Sequence, residues 1–277
     1  MSGVVHSPDG CVYRRPPLSS SWRLIAVSVL LLAGSALTAT FLPQSWDFPV
    51  TQAINAYAHR SALLDRGMHA LTTRDLLQGV PFLAMIWFLW FRGEEPARRG
   101  PLVIGILAAS LAGALSRGMQ LVLPTHLRPL HQPSLNFVLP FGVEPDTLNH
   151  FNSFPSDHGA VYFALAMVIW QARPSLGGAA FAWATIIDFA RIYEGYHFLS
   201  DVIGSLGLGL ALLCLLQNAR LQWAVDGVLA FEQRRRPWFY MIAFIFSYLI
   251  ATLFDDVREL CRGMAAVLLR HDLFNGP

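Results

Sequence analysis

Seven apolar runs, each close to the length needed to cross a bilayer, constrain this chain more than any other feature of its sequence. Hydrocarbon offers no water to backbone N–H and C=O groups, so a run of about 20 mostly apolar residues is read as a spanning helix. The runs cover residues 24–42, 76–91, 102–123, 159–170, 176–192, 199–217 and 237–254. The fourth is short as an apolar run, and residues 155–158 extend it at its start. Of the 277 residues 54% are hydrophobic and 14% charged, whereas soluble domains carry about 25% charged residues. The expected fold is therefore all-α, a polytopic membrane helical bundle. The net charge of +2 gives no argument for a nucleic-acid partner, and no residue is Lys. Cys11, Cys214 and Cys261 are odd in number and scattered, so they suggest neither a disulfide framework nor a metal site.

The segments between the runs set the organisation. Residues 1–22 read as a cytoplasmic, disordered tail, and the first apolar run is too long for a cleaved signal peptide. In 46–75, Val50, Ile54, Tyr57, Leu64 and Met68 recur at helical intervals among polar residues. That pattern predicts one amphipathic helix, either lying in the membrane interface or packing on the bundle. The run Phe231-Glu232-Gln233-Arg234-Arg235-Arg236 breaks the composition and separates a core over 23–220 from 221–277, an added seventh span and a C-terminal amphipathic helix. Arginines cluster in the segments facing one side: Arg14, Arg15 and Arg23, then Arg92, Arg98 and Arg99, then Arg173, Arg220 and Arg234–Arg236. On the positive-inside rule that side is cytoplasmic. The other side, periplasmic in a bacterial inner membrane, receives the chemistry.

That chemistry is one distributed set: Arg128-Pro129, Pro155-Ser156-Asp157-His158, and Arg191 with His197 and Asp201. Each piece sits at an end of an apolar run, so all converge at one membrane face. Arginine forks bind phosphoryl oxygens in pairs. One histidine can attack phosphorus while another protonates the leaving oxygen. His197 and Asp201 are four apart and share a helical face, so the carboxylate can fix the imidazole tautomer and stabilise its cation. Ser156 and Asp157 are preferred helix caps, and the same unpaired amides form an anion site. His126, His131 and His150 lie in the intervening loop at spacings that match no familiar ligand pattern, so no metal and no cofactor is expected.

With these residues in view, the chain resembles the type 2 phosphatidic acid phosphatase superfamily over roughly residues 40–215. The family signatures are Lys-x6-Arg-Pro, Pro-Ser-Gly-His and Ser-Arg-x5-His-x3-Asp. The second stands here as Pro155-Ser156-Asp157-His158, and the third as Ala190-Arg191, His197 and Asp201. The first is half present, because Leu121 occupies the Lys position before Arg128-Pro129. The resemblance implies a six-helix core and a metal-independent phosphohydrolase. It makes His197 the phosphorylated nucleophile, His158 the general acid, and Arg128, Arg191 and the Ser156 region the phosphate binders. Asp157 after Phe154 is similar to the undecaprenyl-diphosphate phosphatases of the bacitracin-resistance type.

Three functions follow from this reading. The first is hydrolysis of a polyprenyl (di)phosphate or related lipid phosphate taken from the bilayer. The second is phosphoryl transfer to a lipid or glycolipid hydroxyl. The third is a catalytically weakened lipid-binding or transport homologue, since Leu121 removes a cation. Arg117, one helical turn before Leu121, is expected to take over that charge in the substrate site; pairing with Asp188 inside the bundle is the alternative.

Overall fold

A computed structural model describes residues 4–6, 12–14, 18–92, 96–123, 126–149, 151–218, 221–257, 259–260 and 264. Ten helices account for most of them: α1 (Leu18–Phe41), α2 (Asp47–Asn55), α3 (Ala62–Thr73), α4 (Val80–Arg92), α5 (Pro96–Val122), α6 (Asp157–Ala172), α7 (Pro174–Tyr193), α8 (Leu199–Asn218), α9 (Gln222–Arg234) and α10 (Arg236–Ala251). The leading segment carries a short antiparallel pair, β1 (Val4–His6) with β2 (Val12–Arg14), where the sequence suggests an unstructured tail. Most of the C-terminal amphipathic helix expected after residue 255 lies outside the described residues.

α6 is the axis of the bundle. Eleven of its sixteen residues are buried, and it packs against α4, α5, α7 and α8. α1 lies along α8 on the outside. Leu24, Val27, Leu30 and Leu37 of α1, and Leu107, Leu111 and Leu115 of α5, face outward. So many exposed aliphatic side chains on a packed bundle mark a lipid-facing belt. Helices Trp22–Phe41, Arg98–Val122 and Leu199–Asn218 are long and apolar enough to cross a membrane, while Val80–Arg92 and Arg236–Ala251 are apolar but shorter. The chain is a multi-pass membrane protein.

Two features differ from the sequence expectation. The single amphipathic helix over 46–75 is broken into α2 and α3, with His59 at φ 62° between them. The break has a local cause: Ser61 caps α3 by accepting from the Leu64 N–H at 3.3 Å, and Asp65 accepts from the His59 N–H at 3.2 Å. The polar face, rather than the apolar one, points inward. Asp47 accepts from the Ser200 N–H and hydroxyl at 3.0 and 2.6 Å. Asp65 accepts from the Tyr193 hydroxyl, and Glu194 accepts from Thr72 and pairs with His69. Leu63 is meanwhile 83% exposed. α2 and α3 therefore clamp the ends of α7 and α8 through buried polar pairs, as the packing alternative required. The second difference is α9, which no periodicity announced. At the end of the bundle away from α3, its Glu232 pairs with Arg99 at 3.3 Å and accepts from the Tyr240 hydroxyl at 2.9 Å.

The end of α10 reaches the opposite end of the bundle and meets the start of α4. A Cβ on Gly79 would lie 2.5 Å from the Ala251 Cα and 2.6 Å from its carbonyl oxygen. Only glycine permits that backbone approach. Gly79→Val is expected to push the end of α10 away and to cost about 1–3 kcal/mol of stability, the usual penalty for overpacking. A thermal unfolding series in detergent checks this.

Candidate active site

The site gathers where α3, α5, α7 and α10 end and α4, α6 and α8 begin. A cavity of about 320 Å³ opens there, with Arg117, Arg128 and Arg191 beside Asp157 and His158. Thr72, Asp75 and Gln78 add polar groups from the α3–α4 side, and Ala251, Thr252, Leu253 and Asp255 line it from the end of α10. The end of α10 thus contributes to the site itself. Among the described residues, no group of three or more His, Cys, Asp or Glu is placed to hold a metal ion.

His197 lies behind this cavity, fully buried. α7 ends at Tyr193, and Gly195 at φ 77° reverses the chain so that 196–198 run beneath the cavity into α8. The Nδ1 of His197 is 2.9 Å from the Ser153 carbonyl oxygen. A carbonyl only accepts, so Nδ1 carries the hydrogen and the lone pair sits on Nε2. Asp201 Oδ2 is farther from Nδ1, at 3.5 Å, and accepts from the Phe198 N–H at 2.7 Å. The tautomer is therefore set first by a backbone carbonyl, with Asp201 supplying charge alongside. Nε2 faces the Arg128 guanidinium at 3.5 Å. Burial, reinforced by Arg128 and Arg191 and partly offset by Asp201, pulls the imidazole down to about 4. The ring is neutral at physiological pH.

The remaining residues divide by what they touch. Arg128 is 1% exposed and donates to the carbonyls of Phe151 (3.3 Å), Asn152 (3.0 Å) and Tyr196 (2.6 Å). Burial lowers its guanidinium to about 10, so it stays charged. Arg191, also buried, forms no hydrogen bond or ion pair with a described residue; its Nε is buried without a partner, and its guanidinium sits 5.5 Å from the Tyr196 ring centroid. A buried arginine in a cavity wall with no protein acceptor calls for an anion. Ser156 caps α6, accepting from the Gly159 N–H at 3.1 Å and donating to Asp188 at 3.1 Å. His158 lines the cavity with its Nδ1 held 2.9 Å from Asp157 Oδ1, which leaves Nε2 for a ligand.

Arg117 lines the cavity too, but its partners are other than expected. It donates to Gln120 Oε1 at 2.8 Å, lies 3.7 Å from Asp157 Oδ2 and stacks 3.9 Å over the Phe151 ring. Asp157, at the cavity wall, replaces the buried Asp188 as its carboxylate. Leu121 is 62% exposed and absent from the cavity, because α5 turns that position outward. Gln120 faces in instead: it donates to the Pro155 carbonyl at 2.7 Å and accepts from both Arg117 and Arg128. Sequence reasoning missed Gln120, Ser153 and the end of α10. A polar amide three residues after Arg117 in an apolar run was the available signal for the first.

Residues 100–224 match the PAP2 superfamily. YbjG of Escherichia coli K12, whose undecaprenyl-diphosphatase designation is itself provisional, is 34% identical over 171 residues, covering 60% of this chain and 77% of that protein. The chain belongs to the PAP2 superfamily. BcrC of Bacillus subtilis 168, an undecaprenyl-diphosphatase, is 25% identical over 58% of this chain and 77% of its own length. Lipid A 1-diphosphate synthase of E. coli K12 is 26% identical over 48% and 59% respectively. A solved PAP2-type phosphatidylglycerolphosphate phosphatase from B. subtilis aligns with a TM-score of 0.48 at 21% identity, over 72% of this chain and 95% of that one.

The two buried arginines are expected to respond differently to truncation. Arg191→Ala removes a group with no protein acceptor and should weaken vanadate binding roughly tenfold or more, with little change in melting temperature. Arg128→Ala strands three carbonyls and should also cost about 2–4 kcal/mol in stability. Vanadate inhibition and thermal melts on both variants read the two effects apart.

Proposed function

We propose that this protein is an integral-membrane lipid phosphatase that removes the terminal phosphoryl group of a polyprenyl diphosphate or related lipid phosphate through a phosphohistidine at His197. The observation that carries the reading is the unpartnered Arg191 beside His158 in a cavity backed by a neutral His197 whose Nε2 bears the lone pair. The cavity has roughly the room of ten water molecules, enough for a diphosphate headgroup, and the outward aliphatic belt suits lateral arrival of a lipid.

The chemistry is written in two displacements. The phosphoryl group binds against Arg191 and Arg117, and the Arg128 guanidinium turns from Nε2 onto the incoming oxygens. His197 Nε2 attacks phosphorus as the phosphorus–oxygen bond to the lipid breaks, and protonated His158 gives its proton to the departing oxygen. Asp157 holds Nδ1 at 2.9 Å and so orients Nε2 toward the departing oxygen. Neutral His158 then takes a proton from water, whose oxygen attacks phosphorus, breaks the phosphorus–nitrogen bond and releases inorganic phosphate. The Nδ1 hydrogen of His197 stays between Ser153 and Asp201 throughout. In this role Arg117 serves the phosphate site directly, and Leu121→Lys has no pocket to enter. Periplasmic orientation is supported by Arg92, Arg98, Arg99, Arg173 and Arg234–Arg236 at the opposite helix ends.

Similarity to a lipid A 1-diphosphate synthase favours a second reading, in which an acceptor hydroxyl takes the place of water. Incubating purified protein with a panel of lipid phosphates and diphosphates, with and without a glycolipid acceptor, separates the two. Phosphate release without acceptor supports hydrolysis; product formed only with acceptor supports transfer. His197→Ala should lower turnover by several orders of magnitude with the fold intact, and near wild-type release would sink the mechanism. EDTA should leave the rate unchanged.

The pH dependence follows from the lowered His197. Its neutral form is the nucleophile, so protonation is inhibitory, and that protonation occurs only as pH falls toward about 4. The acid limb of kcat/KM is therefore expected near pH 4, well below the ordinary histidine range of about 6.5.

A further inference from the structure

Asp201 touches two histidines. Its Oδ2 serves the His197 side, at 3.5 Å from Nδ1, while its Oδ1 lies 3.6 Å from Nε2 of His126. Both of these facing atoms, Asp201 Oδ1 and His126 Nε2, are buried and have no hydrogen-bond partner among the described residues. Two orphaned polar atoms aimed at one another just beyond hydrogen-bond length require an explanation, because a buried polar atom left unpaired keeps its full desolvation cost. His126 is held where it is by its backbone: its N–H donates to Asn152 Oδ1 at 3.0 Å, and its carbonyl accepts from the Ser153 N–H at 3.0 Å. Ser153 is the residue whose own carbonyl holds His197 Nδ1. The His126 ring also packs on Phe198, with centroids 5.3 Å apart. One short stretch of loop thus positions both imidazoles on either side of a single carboxylate.

We infer that His126 is a positioning residue for the His197–Asp201 pair, donating from Nε2 to Asp201 Oδ1 as the phosphohistidine forms. The inference rests on the phosphohistidine reading above and extends it. Once Nε2 of His197 is bonded to phosphorus, its ring carries positive charge while Nδ1 keeps its hydrogen, and Asp201 is the carboxylate that faces that charge. A carboxylate anchored at one oxygen only, through the Phe198 N–H, is free to swing about that contact. A donor on the second oxygen prevents the swing. Catalytic hydrogen bonds are often long in the unliganded enzyme and shorten in the reacting complex, and closing 3.6 Å to a hydrogen bond needs a shift of well under 1 Å. Among the described residues the other charged groups that act on Asp201 are Asp47 on α2, a carboxylate, and Arg128, whose donors go to carbonyls, to Gln120 and toward His197. Asp47 is itself committed to Ser200. Because His126 does not line the cavity, it acts through Asp201 and has no contact with substrate.

The test uses the full-length protein in detergent, with a polyprenyl diphosphate as substrate. His126→Phe keeps the ring against Phe198 and removes the donor. It is expected to lower kcat about 10–100-fold, the usual range for outer-shell partners of a reacting group, with KM within about twofold. His126→Gln restores an N–H donor and should recover most of the loss, which also covers the event that His126→Phe folds poorly. In an Asp201→Asn background, His126→Phe should have no further effect on the single-turnover rate of phosphoenzyme formation, since the two act as a unit. Wild-type kcat in His126→Phe, a rise in KM with kcat unchanged, or additive losses in the double variant would each overturn the inference. Phosphate release that survives His197→Ala would instead overturn the phosphohistidine reading, so the two failures are distinguishable.

Discussion

The Arg128 guanidinium, buried to 1% exposure, ties together three stretches of chain that are far apart in sequence. It donates to carbonyls at Phe151 and Asn152, before α6, and at Tyr196, before α8, and its own segment follows α5. Each bond to a charged donor contributes on the order of 1.5–3 kcal/mol, and losing the donor would leave buried acceptors without water to replace it. The placement of both histidines depends on this bracket. Ser153, one residue beyond the bracketed segment, orients His197; Tyr196 immediately precedes it; and Pro155, fastened to Ser116 and Gln120, sets the start of α6 and so His158.

Around that bracket the charges fall into distinct roles. Arg128 is engaged by backbone, Arg117 by Gln120, Asp157 and the Phe151 ring, and Arg191 by no described protein acceptor. The three cations face a cavity that also presents Asp157, Asp75 and Asp255. Burial, with Asp255 and Asp256 nearby, raises the Asp75 carboxyl. These carboxylates repel one another and an anion alike, so attraction for an anion in this cavity comes from the arginines. The last described helix belongs to this arrangement: the backbone contact of Ala251 with Gly79 carries the end of α10 onto the cavity wall.

The polar undersides of α2 and α3 complete the support. Asp47, Asp65 and Glu194 are fully buried carboxyl groups, and each is matched by a hydroxyl, an amide or an imidazole across a helix junction. Such pairs hold the end of α7 and the start of α8, which flank His197 and bear Arg191 and Asp201, in one position relative to each other. Leu63 and Tyr57 of the same segment are exposed.

By itself the sequence determined the helical, membrane-embedded class, and it singled out His158, Arg191, His197 and Asp201, which the structure gathers at one end of the bundle. Apolar run length and the four-residue period report those directly, since both are properties of a single helix and its solvent. Which atom fulfils each role was decided only by the tertiary structure. Asp201 looked like the holder of the His197 tautomer until the Ser153 carbonyl, forty-four residues away in the chain, stood closer. Arg117 had two candidate carboxylates by charge alone, and the rotation of α5 against α6 selected Asp157 while turning Leu121 outward. The same holds for His126 behind Asp201, and for the end of α10 in the cavity wall. These are contacts between elements distant in sequence, and periodicity along one helix carries no information about the register of its neighbour.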